Sequence, residues 1–172
     1  MQAPSLEHLM DTQASIESGF VAYLAANGVT AYGTRHTGDE PDSKVIVQYQ
    51  HGASTGHCAT PTTSKTGEKE DDWFNGVIIF EVHTERALAE ASPVSGFASL
   101  HDYRVAQIKA LMLRGSLNGT VNGKTALALD YHGIAVLSST AEDHAVADDS
   151  FDVSTLNYAV QLQIKADAWP TP

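Results

Sequence analysis

The chain has 172 residues, 42% of them apolar and 18% charged, which is the size and composition of one globular domain and not of a disordered segment. Ten Lys and Arg stand against 21 Asp and Glu, a formal charge of -11, so no basic stripe exists with which to displace counterions from nucleic acid. Cys58 is the sole cysteine, which excludes an intrachain disulfide.

No stretch approaches the roughly 20 apolar residues of a membrane span. Residues 1–17 carry Glu7 and Asp11 and lack both a basic start and an apolar run, so the expectation is a protein made and kept in a cytoplasm-like environment, or one that joins a particle assembled there. Leu6, Leu9, Gln13, Ile16, Phe20 and Leu24 recur at three- and four-residue steps and predict an amphipathic helix, which Asn27-Gly28 terminates. A short strand over 29–32 and a polar loop over 33–43 follow. Val45-Ile46-Val47-Gln48-Tyr49 is a β-branched run that predicts an inner strand.

Residues 51–72 hold Gly, Ser, Thr and Lys throughout and end in Glu68, Glu70, Asp71 and Asp72. They read as a long flexible loop between two paired strands. Residues 73–84 predict the next strand, and Ser92-Pro93 and Gly96 then break the chain. A second helix is expected over 101–114, with Val105, Ile108, Leu111 and Met112 on one face and Gly115 beyond its end. Asn118-Gly119 and Asn122-Gly123 are turn dipeptides. Short strands are expected over 125–130 and 134–139, and an acidic loop over 142–149. Leu156, Tyr158, Val160, Leu162 and Ile164 alternate with Asn157, Ala159, Gln161, Gln163 and Lys165, the pattern of a strand with one covered face. The fold class expected is α+β: a mostly antiparallel sheet with two main helices packed on one face, in a single domain over 1–172.

Four short patterns resemble chemistry. Residues 119–125 (Gly-Thr-Val-Asn-Gly-Lys-Thr) approach a phosphate-binding loop, but three residues separate the glycines where four are required, and the segment after them reads as a strand. Gly52-Ala53-Ser54-Thr55-Gly56 matches a nucleophile elbow, yet the β-branched, Pro-interrupted run after it does not read as the required helix. His51, His57 and Cys58 offer imidazole and thiolate but no fourth ligand for a structural zinc. Asp148, Asp149 and Asp152 lack the glycine and closing glutamate of a calcium loop. No catalytic, cofactor-binding or metal residue is therefore assigned, and no cofactor is expected.

The order of elements, and the textures of Lys44-Val45-Ile46-Val47-Gln48-Tyr49, Trp73-Phe74-Asn75-Gly76-Val77-Ile78-Ile79-Phe80-Glu81-Val82, Tyr103-Arg104-Val105-Ala106-Gln107-Ile108 and the closing strand from Ser154, resemble the tail terminator (tail completion) proteins of long-tailed bacteriophages. That resemblance implies a structural virion protein in the tail or neck, not an enzyme. Its subunits would form a hexameric ring at the head-proximal end of the tail and bind the tail tube protein and the head completion or connector protein. DNA would pass through such a ring without being gripped, and the acidity of the chain suits that role. Other neck or tail-tube proteins share much of this architecture. Two readings of other classes stand beside it: a small metal- or ligand-binding module using the His51–Cys58 loop, and a hydrolase using Ser54. Residues 51–72 and 142–150 are the expected contact segments.

Overall fold

A computed structural model describes residues 6–34, 43–57, 72–129, 134–147 and 150–164. Along the chain these form α1 (Leu6–Ala26), β1 (Ala31–Gly33), β2 (Lys44–His57), β3 (Asp72–Glu85), α2 (Arg86–Ala91), α3 (Leu100–Leu111), α4 (Arg114–Leu117), β4 (Ile134–Ala147) and β5 (Phe151–Ile164). The strands make one sheet in the order β1-β2-β3-β5-β4. Among the described residues the short β1–β2 pair is parallel, and the other three pairs are antiparallel. The fold is α+β, a mostly antiparallel sheet with its two long helices on one face.

Strand alternation decides which face that is. Val45, Val47 and Tyr49 of β2 stand on the same side as Ile78, Phe80, Val82 and Thr84 of β3 and Ser154, Leu156, Tyr158 and Val160 of β5, and all are buried. Ile16, Phe20, Tyr23 and Leu24 of α1 and Val105, Ile108 and Leu111 of α3 complete the same hydrophobic cluster. Phe80 lies at its centre, edge-on to Phe20 at 6.1 Å and to Tyr158 at 5.8 Å, the geometry that aromatic quadrupoles favour. The Tyr23 hydroxyl donates to the Leu111 carbonyl at 2.6 Å, which ties α1 to the end of α3.

Local chemistry sets the helix ends. After α1 the chain turns through Gly28 at φ 85°, a left-handed conformation that glycine adopts without Cβ strain, and the Val29 N–H returns to the Leu24 carbonyl at 2.8 Å. The Ser99 hydroxyl accepts from the Asp102 N–H at 3.1 Å and caps α3.

Several expectations from the sequence need correction. β2 does not end near Tyr49 but runs to His57, so residues 51–57 of the expected loop are strand, and residues 58–71 lie outside the described residues. β4 runs from Ile134 to Ala147, so 142–147 of the expected acidic loop are strand as well. β5 starts earlier than expected, at Phe151. Residues 125–129, expected as a strand, are irregular; the Asn27 side chain pins them to the end of α1, donating to the Thr125 carbonyl at 3.0 Å and accepting from its N–H at 2.9 Å.

Candidate functional site

The motifs singled out in the sequence take on plain structural roles. Gly52-Ala53-Ser54-Thr55-Gly56 lies wholly within β2, where the register against β3 slips once between His51 and Ser54 and again between Ser54 and Gly56. A nucleophile elbow needs a sharp strand-to-helix turn, whereas this segment stays paired with β3 through two bulges. Glycine is the residue that such bulges favour, which accounts for the pattern without chemistry.

His51 and His57 sit six residues apart on that same strand, a backbone separation of roughly 20 Å before the bulges shorten it. That span is far beyond what two imidazoles sharing one ion at about 2 Å can bridge. Cys58 lies outside the described residues. Residues 119–125 form a pair of turns with Gly119 at φ 68° and Gly123 at φ 77°, and irregular chain follows in place of the helix that a phosphate loop requires. Asp152 pairs with Arg86 at 3.0 Å, while Asp148 and Asp149 lie outside the described residues. Among the described residues no group of three or more His, Cys, Asp or Glu is placed to hold a metal ion.

Two buried polar clusters carry no sequence signature. His101, in the first turn of α3, places Nδ1 2.9 Å from the Thr84 hydroxyl on β3 and Nε2 2.9 Å from the Ser154 hydroxyl on β5. A serine within hydrogen-bond reach of an imidazole is half of a nucleophile–base pair. Here, however, all three side chains are buried, and the far ring nitrogen meets a hydroxyl where an orienting carboxylate would be needed. The cluster fastens α3 across two strands.

Glu17, buried on α1, accepts from the Tyr49 N–H at 3.1 Å and from the Thr34 hydroxyl at 3.0 Å. β1 pairs with β2 only as far as Val47. Tyr49 is the next residue whose N–H points to that edge, so the Glu17 carboxylate satisfies a donor that β1 is too short to reach.

The largest unassigned feature is the sheet face opposite the helices. Cross-strand register sets its rows: Lys44, His83 and Val153; Ile46, Glu81 and Thr155; Gln48, Ile79 and Asn157; Gln50, Val77 and Ala159. None of these side chains is buried. Aliphatic residues (Ile46, Val77, Ile79 and Val153) alternate with polar ones, and His83 Nε2 lies 3.3 Å from Glu81 Oε2. The four long strands have 14 residues each, a length of roughly 45 Å. β4 forms one margin of the sheet, and β2 beyond the reach of β1 forms part of the other. Sheet margins present rows of N–H and C=O groups that another chain can pair. A mixed aliphatic and polar face of this kind suits contact with a protein better than enclosure of a small substrate.

A scan of the sequence against protein-family models finds no match, and a search of curated proteins finds none either.

Proposed function

We propose that this chain is a structural subunit of a long-tailed bacteriophage, a tail terminator or tail-completion protein that forms a ring at the head-proximal end of the tail and performs no catalysis. One observation carries the reading: the helices cover a single face of a sheet built from 14-residue strands, while every described side chain on the opposite face stays at least partly exposed. Such a surface is suited to fellow protein components, here the tail tube and the head connector. The order of elements, helix, strand, long hairpin, helix, long hairpin, supports the resemblance to tail terminators. The acidity of the chain supports a ring past which DNA moves without adhering.

Electron microscopy and light scattering on the purified chain, alone and mixed with tail tubes from the same phage, test this reading. Rings, or caps confined to one end of each tube, are the expected result. Decoration along the whole tube would instead assign a tube protein, and failure to bind any particle component would refute a virion role.

A further inference from the structure

The exposed charges of the helical layer separate by sign. Among the residues whose side-chain exposure is described, five charged ones are exposed: Glu90 and Asp102 at the end where α3 begins, and Lys109, Arg114 and Lys124 toward the end where it stops. Among the same residues, the four large apolar ones that stand exposed divide the same way. Leu88 and Phe97 accompany the acids, and Leu113 and Val121 accompany the bases. Residues 103–129 contain four cations and no Asp or Glu, within a chain that carries 21 acids.

Each end is a built surface. At the first, Phe97 packs edge-on to Tyr103 at 5.2 Å beside the Ser99 cap, with α2 alongside. At the second, α4 and the following turns fold into one knob. The Gly115 carbonyl accepts from both the N–H and the hydroxyl of Thr120, at 2.9 and 3.1 Å, and the Lys124 N–H donates to the Val121 carbonyl at 3.1 Å. A Cβ on Gly115 would stand 3.2 Å from Val121 Cγ2, so Val121 lies beside the stretch of chain that carries Leu113 and Arg114. Neither Arg114 nor Lys124 has a carboxylate within ion-pair reach among the described residues.

We infer that these two ends form a head-to-tail contact between copies of this chain, the Leu113/Arg114/Val121/Lys124 knob of one copy seating on the Leu88/Glu90/Phe97/Asp102 surface of the next. The inference rests on the ring-forming reading above and names its interface. Charge decides the partner. With a net charge of -11, two copies repel wherever they approach without complementarity, and the knob is where the described surface offers a neighbour's acids a favourable partner. A two-fold contact meets this complementarity only with the two α3 helices antiparallel, and it closes at a dimer, so the ring-forming reading selects the head-to-tail arrangement. A heterologous contact sets acid on base and apolar on apolar, and repetition of it generates a ring or filament. The 12 residues of α3 hold the two patches roughly 18 Å apart, on a rigid element.

Charge exchange tests this. The double variant Arg114→Glu/Lys124→Glu and the double variant Glu90→Lys/Asp102→Lys change exposed residues only, and circular dichroism should show both folded. Each alone should self-associate roughly tenfold more weakly than the parent, or worse, in sedimentation equilibrium. An equimolar mixture should recover assembly, because each variant then complements the other at both patches. Where the parent assembles only on tail tubes, the same variants are scored there. Variants that associate like the parent, or a mixture that fails to recover, overturn this interface and leave the ring reading standing. Loss of binding to a short DNA duplex with self-association intact would assign the knob to nucleic acid and overturn the inference too. A parent chain that assembles neither alone nor on tubes sinks both.

Discussion

The ring of Tyr49 occupies the space above Gly76, where a Cβ would fall 2.5 Å from both its Cε2 and its hydroxyl oxygen. Tyr49 pairs across the strands with Ile78, so its side chain lies diagonally over the glycine two residues away. Gly76 thus leaves the gap that the buried tyrosine fills. Gly76→Ala should destabilise the fold by about 1–3 kcal/mol through overpacking. The same change in a Tyr49→Leu background should cost less, because the clash partner is shorter. Urea unfolding of the four proteins closes the cycle; equal costs in both backgrounds would show that the ring is not what excludes the methyl.

Glu17 predicts a difference between two substitutions at one site. Glu17→Ala strands the buried Tyr49 N–H and the Thr34 hydroxyl and should cost about 1–3 kcal/mol. Glu17→Gln keeps a carbonyl acceptor in place and should cost clearly less. Hydrogen exchange at the Tyr49 amide supplies a local readout. It should accelerate in Glu17→Ala beyond what the global loss of stability explains, and equal protection in the two variants would remove Glu17 as the plug of that edge.

His101 should behave as a fastener. His101→Ala opens a cavity and orphans the Thr84 and Ser154 hydroxyls together, with an expected loss of about 2–4 kcal/mol. Ser154→Ala removes one contact and should cost about 1 kcal/mol. If the two variants unfold at the same urea concentration, the bridge from α3 to β3 and β5 is not what holds the helix.

The parts of the fold that were legible in the sequence are those where one period holds without interruption. The steps of α1, the β-branched start of β2, β3 and the strict alternation of β5 all appear where expected. The misread end of β2 has a physical cause, the β-bulge; residues 142–147 of β4 read as loop for their acids, and residues 125–129, expected as strand, are instead pinned by Asn27. Between His51 and Gly56 two extra residues enter β2, and in β4 Leu137 falls between the paired positions Val136 and Ser138. Each inserted residue reverses the inside–outside alternation, so a real strand loses its period-2 signature and reads as loop. At the candidate surfaces, the absence of acids over residues 103–129 could have been counted from the sequence. The approach of Val121 to Gly115 could not, because it depends on how the turn after α4 folds back. Glu17 and His101 were invisible for a similar reason, since their partners lie 17 and 32 residues away for Glu17 and 17 and 53 for His101.

Alkaline pH should weaken the fold through Tyr23. Its phenol ionises near pH 10 in an unfolded chain, whereas burial beside α3 pushes it up to about 12 in the folded protein. Below pH 10 both states hold the proton and the full stability is present. Between the two values only the unfolded chain releases it, so stability falls as pH rises, by on the order of 2 kcal/mol in all, and above the folded value that contribution is gone. Burial pushes the Tyr49 phenol in the same direction, which adds to the slope. Tyr23→Phe should lose about 1 kcal/mol near neutral pH, because the hydrogen bond to the Leu111 carbonyl disappears. It should also decline less steeply than the parent above pH 10, since one titrating group is gone. Urea midpoints measured on both sides of that pH check the claim, and parallel profiles for the two proteins would rule out Tyr23 as a source of the alkaline loss.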